Sequence, residues 1–140
     1  MSMTRRNAKG VESLPVVLLL GAVLAASTLA IGTTCLDRAQ RLSERHHAIE
    51  SFNSFVERAR MASVGGIGSI QHVELELNGG KLVVDANLVQ LTYGEEVLRG
   101  EILPLPIVLD SGGFEIGAGS YSIELQRDGE YGYFLEVRGL

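Results

Sequence analysis

The chain changes its hydrophobic rhythm twice along its length. From Leu14 to Ile31 (LPVVLLLGAVLAASTLAI) no residue is charged, and the uncharged run continues through Gly32–Leu36 to Asp37. At about 1.5 Å of rise per residue, a helix of this run covers most or all of a ~30 Å hydrocarbon layer. The apolar core of a cleavable secretory signal is shorter, about 7–15 residues. Ser13 is placed to cap such a helix, and Pro15 falls in its first turn, where a missing N–H costs little.

The rhythm then becomes amphipathic. Residues 35–62 contain no Pro and no Gly, and Leu42, Ile49, Phe52, Val56 and Ala59 recur at spacings of 7, 3, 4 and 3. That is one helical face, with most of the charged residues from Asp37 to Arg58 lying off it. The pattern predicts a single long helix over 13–62. Its first half, 14–32, is apolar all round, and its second half, 33–62, presents the Leu42–Ala59 stripe to a sheet.

Gly65, Gly66 and Gly68 stop the helix. Beyond them the period is two. Val73, Leu75 and Leu77 alternate with His72, Glu74 and Glu76, and Asn78-Gly79-Gly80 reads as a hairpin turn into Leu82, Val84 and Ala86. A second hairpin is predicted through Tyr93-Gly94-Glu95, between 88–91 and 96–99. A third is predicted through Arg127-Asp128-Gly129-Glu130, between Tyr121–Leu125 and Tyr131–Val137. Leu103-Pro104-Leu105-Pro106 reads as an extended edge or connection, since proline donates nothing to a ladder. Residues 110–119, with four glycines, read as a loop. The expectation is an α+β, lollipop-shaped protein with one long N-terminal hydrophobic helix. About six short antiparallel strands form a small β domain, 63–140, covered by the helix stripe.

Charge divides the chain in the same places. The net charge of −5 is the sum of +3 over residues 1–10 (Arg5, Arg6, Lys9), zero over 11–62, and −8 over 63–140, where four Lys/Arg face twelve Asp/Glu. Three cations before the apolar run orient the N-terminus toward the cytoplasm. An acidic body excludes nucleic acid as a partner, because phosphate contacts need clustered cations. Cys35 is the sole cysteine, so no internal disulfide exists.

The placement of Gly10 is the most informative motif. Lys9-Gly10 stands directly before Val11-Glu12-Ser13, ahead of the apolar run. A cut after Gly10 removes the basic leader, 1–10, and leaves the apolar helix on the mature chain. This layout, Arg5-Arg6-Asn7-Ala8-Lys9-Gly10 followed by Val11-Glu12-Ser13 and Leu14–Ile31, resembles archaeal type IV pilin precursors with a class III signal peptide. The long helix, the Val64-Gly65-Gly66 break and the small β domain look like the same group. The resemblance implies cleavage between Gly10 and Val11 by a membrane aspartyl prepilin peptidase, with Lys9, Gly10 and Val11 as the processing site. It implies assembly through Glu12, Leu14, Pro15, Leu18, Gly21, Leu24, Ala25 and Ile31, with partners in sister subunits, the membrane and an inner-membrane assembly platform. One position differs: bacterial relatives, and some archaeal ones, carry Glu at the fifth mature residue, where this chain has Pro15 and its nearest acid is Glu12. Small residues at Gly21, Ala22, Ala25, Ala26, Ala30 and Gly32 independently permit close helix–helix approach.

The remaining chemistry-bearing residues read as structure. His46 and His47 point about 100° apart on a helix and are poor co-ligands, and no HxxxH or HExxH occurs. Glu74 and Glu76 alternate with core positions and face water. Glu95 and Glu96, at the second hairpin, read as a solvated face, and no calcium loop of the DxDxDG kind is present. There is no GxSxG elbow, and Gly65-Gly66-Ile67-Gly68 follows a helix, where a phosphate loop would precede one. Cys35 is expected as a buried helix thiol, not a lipidated one, for want of a small residue just before it. Arg5-Arg6 reads as a topogenic tip and not as a twin-arginine signal. Alternation places Tyr131 and Tyr133 in the core and Phe134 on the opposite face. The functional expectation is a non-enzymatic pilin or minor pilin without metal or cofactor, held in the membrane and then displayed on the cell surface. The alternatives are a single-pass anchored extracytoplasmic binding module and a pseudopilin of a secretion apparatus.

Overall fold

The computed structural model describes residues 15–130 and 132–140. The chain divides into two compact units, 1–41 and 42–140. The expected cap Ser13 lies outside the described residues.

The described part of the first unit is wholly helical and belongs to helix α1, which runs Pro15–Val64. Nothing in residues 16–64 breaks the backbone ladder: they contain no proline, and only Gly21 and Gly32 interrupt a run of residues tolerant of helix.

The second unit holds the end of α1 and eight strands. They are β1 (Ile70–Leu75), β2 (Lys81–Asp85), β3 (Leu88–Tyr93), β4 (Glu96–Ile102), β5 (Ile107–Leu109), β6 (Glu115–Ile116), β7 (Gly119–Asp128) and β8 (Gly132–Gly139). They form two four-stranded sheets, ordered β1-β7-β8-β5 and β4-β3-β2-β6. All pairings are antiparallel except β5 with β8. The fold is α+β as expected. The strands, expected as about six, are eight and lie in two sheets, and the 110–119 loop contains β6.

The hairpins at Tyr93-Gly94-Glu95 and Arg127–Glu130 form, joining β3 to β4 and β7 to β8. The Asn78-Gly79-Gly80 turn also forms. Asn78 and Gly79 take φ of 48° and 91°, and the Gly80 N–H donates to the Leu77 carbonyl at 2.9 Å. The flanking strands nevertheless do not pair with each other: β1 pairs with β7 and β2 with β3. The reason lies in where the backbone groups before the turn find partners. The Glu76 N–H donates to Ser51 Oγ of α1 at 3.0 Å, and the Leu77 carbonyl accepts the Tyr93 hydroxyl besides the Gly80 N–H. With these groups satisfied elsewhere, no ladder between β1 and β2 is required.

The Leu103–Pro106 segment crosses from one sheet to the other. The Leu103 N–H donates to the Asn87 carbonyl, the Asn87 side chain returns a bond to the Leu103 carbonyl, and the Pro106 carbonyl accepts the Leu135 N–H. Both prolines thus sit where no donor is needed. Inward residues of both sheets, including Leu75, Leu82, Leu91, Ile123 and Leu135, share one buried cluster with Phe52, Phe55, Val56 and Ala59 of α1.

Candidate functional site

The feature that sets this molecule apart is the side-chain surface of α1 before residue 42. The large apolar residues there, from Val16 to Leu36, are each 55% to 70% exposed, including Leu18, Leu24 and Ile31. They occupy every face of the helix, and none of the described residues covers them. By length and composition this helix can cross a membrane. A Cβ added at Gly21 or Gly32 meets nothing within 4 Å, so the small-residue positions are open to a neighbour. Ala25 and Pro15 are likewise exposed. Lys9, Gly10, Val11, Glu12 and Leu14 lie outside the described residues.

Three threonine hydroxyls in this run are closed on the helix itself. The Thr28 hydroxyl donates to the Leu24 carbonyl at 2.8 Å, Thr33 to Ala30 and Leu29 at 3.0 and 3.1 Å, and Thr34 to Ala30 at 2.9 Å. A hydroxyl bonded to a carbonyl one turn back asks nothing of its surroundings. That suits an environment in which unsatisfied polar groups cost several kcal/mol. Cys35, expected to be buried, is exposed. Among the described residues nothing packs over this part of α1 to bury it.

The packed stripe begins later than its periodicity suggests. Phe52, Val56 and Ala59 are buried and Ile49 is partly buried against the core. Leu42, expected on the same stripe, is 67% exposed. The β domain first reaches α1 about half a turn beyond it, where the Asn78 amide donates to the Glu44 carbonyl, and burial starts at Ala48. Leu42 is in phase with the stripe but beyond the end of the sheets. Sequence reasoning missed Ala48, Phe55 and Ala62, all fully buried. Each stands three or four positions from Phe52 or Ala59, which is the signal that identifies them.

Charges flank this packing. Arg45 and Arg60 of α1 reach Glu96 and Glu101 of the edge strand β4 at 3.4 and 3.2 Å. These groups are about half exposed, so each pair contributes at most about 1 kcal/mol. His46 and His47 both face Glu50, at 3.0 and 3.7 Å. They sit on the helix surface, while His72 lies on β1. Burial, then repulsion from Glu44, raises the Tyr93 phenol above its ordinary value, against a smaller opposing pull from Arg45. The Arg138 guanidinium is raised by its hydrogen bonds to Glu136, at 3.1 Å each, and by the charge behind them.

At the C-terminal end of α1 an open, mainly apolar groove of about 560 Å³ is lined by Ser63, Val64, Gly66, Ile67, Pro104, Leu105, Leu125 and Tyr133. Tyr133 was expected in the core but is 46% exposed, because its ring forms the groove wall. Phe134, on the opposite face, is only partly buried. Tyr131 lies outside the described residues. No protein-family model matches the chain, nor does any curated protein or solved structure.

Proposed function

We propose that the chain is a non-enzymatic structural subunit, a pilin or minor pilin, of a type IV pilus-like surface filament. One observation carries this reading: a helix whose Val, Leu and Ile side chains are exposed on all faces runs without a break into the stripe that completes a folded α+β unit. An all-round apolar helix requires lipid or other apolar helices around it. The glycines and alanines along it favour close approach of sister helices. The position of Gly10 ahead of the apolar run adds the means of release, since cleavage there by a prepilin peptidase leaves the helix on the mature subunit. In this reading the chain waits in the membrane with its N-terminus cytoplasmic. An inner-membrane assembly platform then transfers it to a filament in which copies of the helix, or those of similar subunits, bundle together.

Mass spectrometry of the native protein's N-terminus, with negative-stain microscopy of cells carrying and lacking the gene, tests the proposal. It requires a start at Val11 and filaments that depend on the gene. An intact Met1 or Ser2, or a start beyond Ile31, in cells without filaments rejects it. The spanning helix equally serves a single-pass anchored binding module, and an uncut N-terminus on a membrane-bound monomer is the result that selects that module.

A further inference from the structure

The arginines of α1 fall into two groups by what they meet. The described helix holds Arg38, Arg41, Arg45, Arg58 and Arg60. In the second unit, Arg45 and Arg60 reach Glu96 and Glu101, and Arg58 donates to the Gln71 side-chain oxygen at 3.2 Å. Arg38 and Arg41 belong to the first unit. Both are exposed, and neither has a hydrogen bond or ion pair among the described residues. Asp37, the one acid in 37–41, pairs with neither of them.

The two unpartnered arginines stand at a defined height on the helix. The uncharged run ends at Leu36. Residues 15–36 extend about 33 Å at about 1.5 Å each, which fills a ~30 Å hydrocarbon layer. Arg38 and Arg41 follow Leu36 by about 3 and 8 Å. The headgroup layer on each side of a bilayer is about 5–8 Å deep, so both backbone positions fall within it or at its outer edge. Helical side chains lean toward the N-terminus, which here is back toward the bilayer. At a spacing of three, the two side chains share one side of the helix.

A guanidinium suits this layer. It is always charged and weakly hydrated, and its planar fork of donors matches a pair of phosphate oxygens. Its stem lies along apolar surface while the head stays polar. The phosphodiester of a lipid headgroup offers two unesterified oxygens and a negative charge at that height.

We propose that Arg38 and Arg41 hold the phosphodiester groups of membrane lipids where α1 leaves the hydrocarbon layer, and so fix how deep the helix sits. This rests on the membrane-held stage of the filament reading and deepens it by naming a lipid contact. Arginines of the folded unit take protein partners, and the two at headgroup height take lipid ones.

The test is solid-state NMR of the distance-dependent dephasing of arginine guanidinium carbon by lipid phosphorus. The full chain is reconstituted in vesicles of phosphatidylcholine with phosphatidylglycerol, in phosphate-free buffer. Wild type is compared with Arg38→Gln/Arg41→Gln and with Arg58→Gln/Arg60→Gln. The first pair has no partner among the described residues, so its replacement removes no contact seen in the fold. Arg5 and Arg6 precede the run and add a background, so the proposal requires dephasing to fall by about half in the first variant and to stay unchanged in the second. Equal dephasing in wild type and the first variant overturns it. Dephasing as strong in vesicles of a phosphorus-free galactolipid supplied with inorganic phosphate assigns the pair to a free anion and also overturns it. Gene-dependent filaments in cells, with no difference between wild type and the first variant in vesicles, reject the lipid contact and leave the filament reading standing. The required loss, with no filaments in cells, supports the lipid contact on an anchored chain while the filament reading fails.

Discussion

Gly80 illustrates how one residue carries both a turn and a packing contact. A Cβ there would lie 2.7 Å from the Tyr93 ring and 3.1 Å from the Leu77 carbonyl. Gly80→Ala should therefore destabilise the β domain by about 1–3 kcal/mol, an overpacking cost, read as a lowered thermal midpoint of the full chain in detergent. Tyr93→Phe removes the hydroxyl that donates to Leu77, and should cost about 0.5–1.5 kcal/mol near neutral pH. The same phenol makes stability depend on alkali. Its pKa is raised from 10.0 in the folded state, so the folded chain binds the proton more tightly than the unfolded one. That contribution is complete below about pH 10 and is lost as pH rises through the folded value. Denaturation followed between pH 8 and 12 should show a steeper alkaline loss in the wild type than in Tyr93→Phe. The turn at Asn78-Gly79-Gly80 was legible in sequence from its residues. The destination of β1 was not, because it depends on Ser51, 25 positions before Glu76, capturing backbone groups that alternation alone assigns to a hairpin.

Helix α1 separates what periodicity reveals from what it cannot. Its continuity and the packed positions Phe52, Val56 and Ala59 follow from spacing alone. The limit of the stripe does not, since Leu42 has the right phase and no sheet above it. The two sites should accordingly differ sharply. Phe52→Ala should cost about 3–5 kcal/mol, whereas Leu42→Ala should fall within about 0.5 kcal/mol of wild type. Chemical denaturation of the two variants side by side measures the difference. Among the strands, those flanking Tyr93-Gly94-Glu95 and Arg127–Glu130 were readable because the turn and both partners are neighbours in sequence. The β1–β7 pairing and the parallel β5–β8 pairing were not, because they join distant segments and parallel partners need a long connection that leaves no local signature.

For the whole molecule, the central question is what surrounds the exposed apolar helix. The distribution of polarity was plain in the sequence: an uncharged run, an amphipathic run and an acidic β domain. The Val64–Tyr133 groove was not, because its residues come from the helix end, the Leu-Pro-Leu-Pro crossing and two strands that only folding brings together. If lipid receives the helix before assembly, Leu24→Arg places a charge at the centre of the run, at an insertion cost of about 3 kcal/mol more than leucine. The variant should move from the carbonate-resistant membrane pellet toward the soluble fraction. Gly10→Val should leave the precursor uncut, with a mass including residues 1–10, and unchanged maturation would remove Gly10 from the processing scheme.

Thr28, Thr33 and Thr34 each keep their hydroxyl bond inside their own helix. These three hydroxyls therefore favour no one oily neighbourhood over another. If the proposed filament forms, these three hydroxyls change no hydrogen bond when the helix leaves acyl chains for a cluster of like helices.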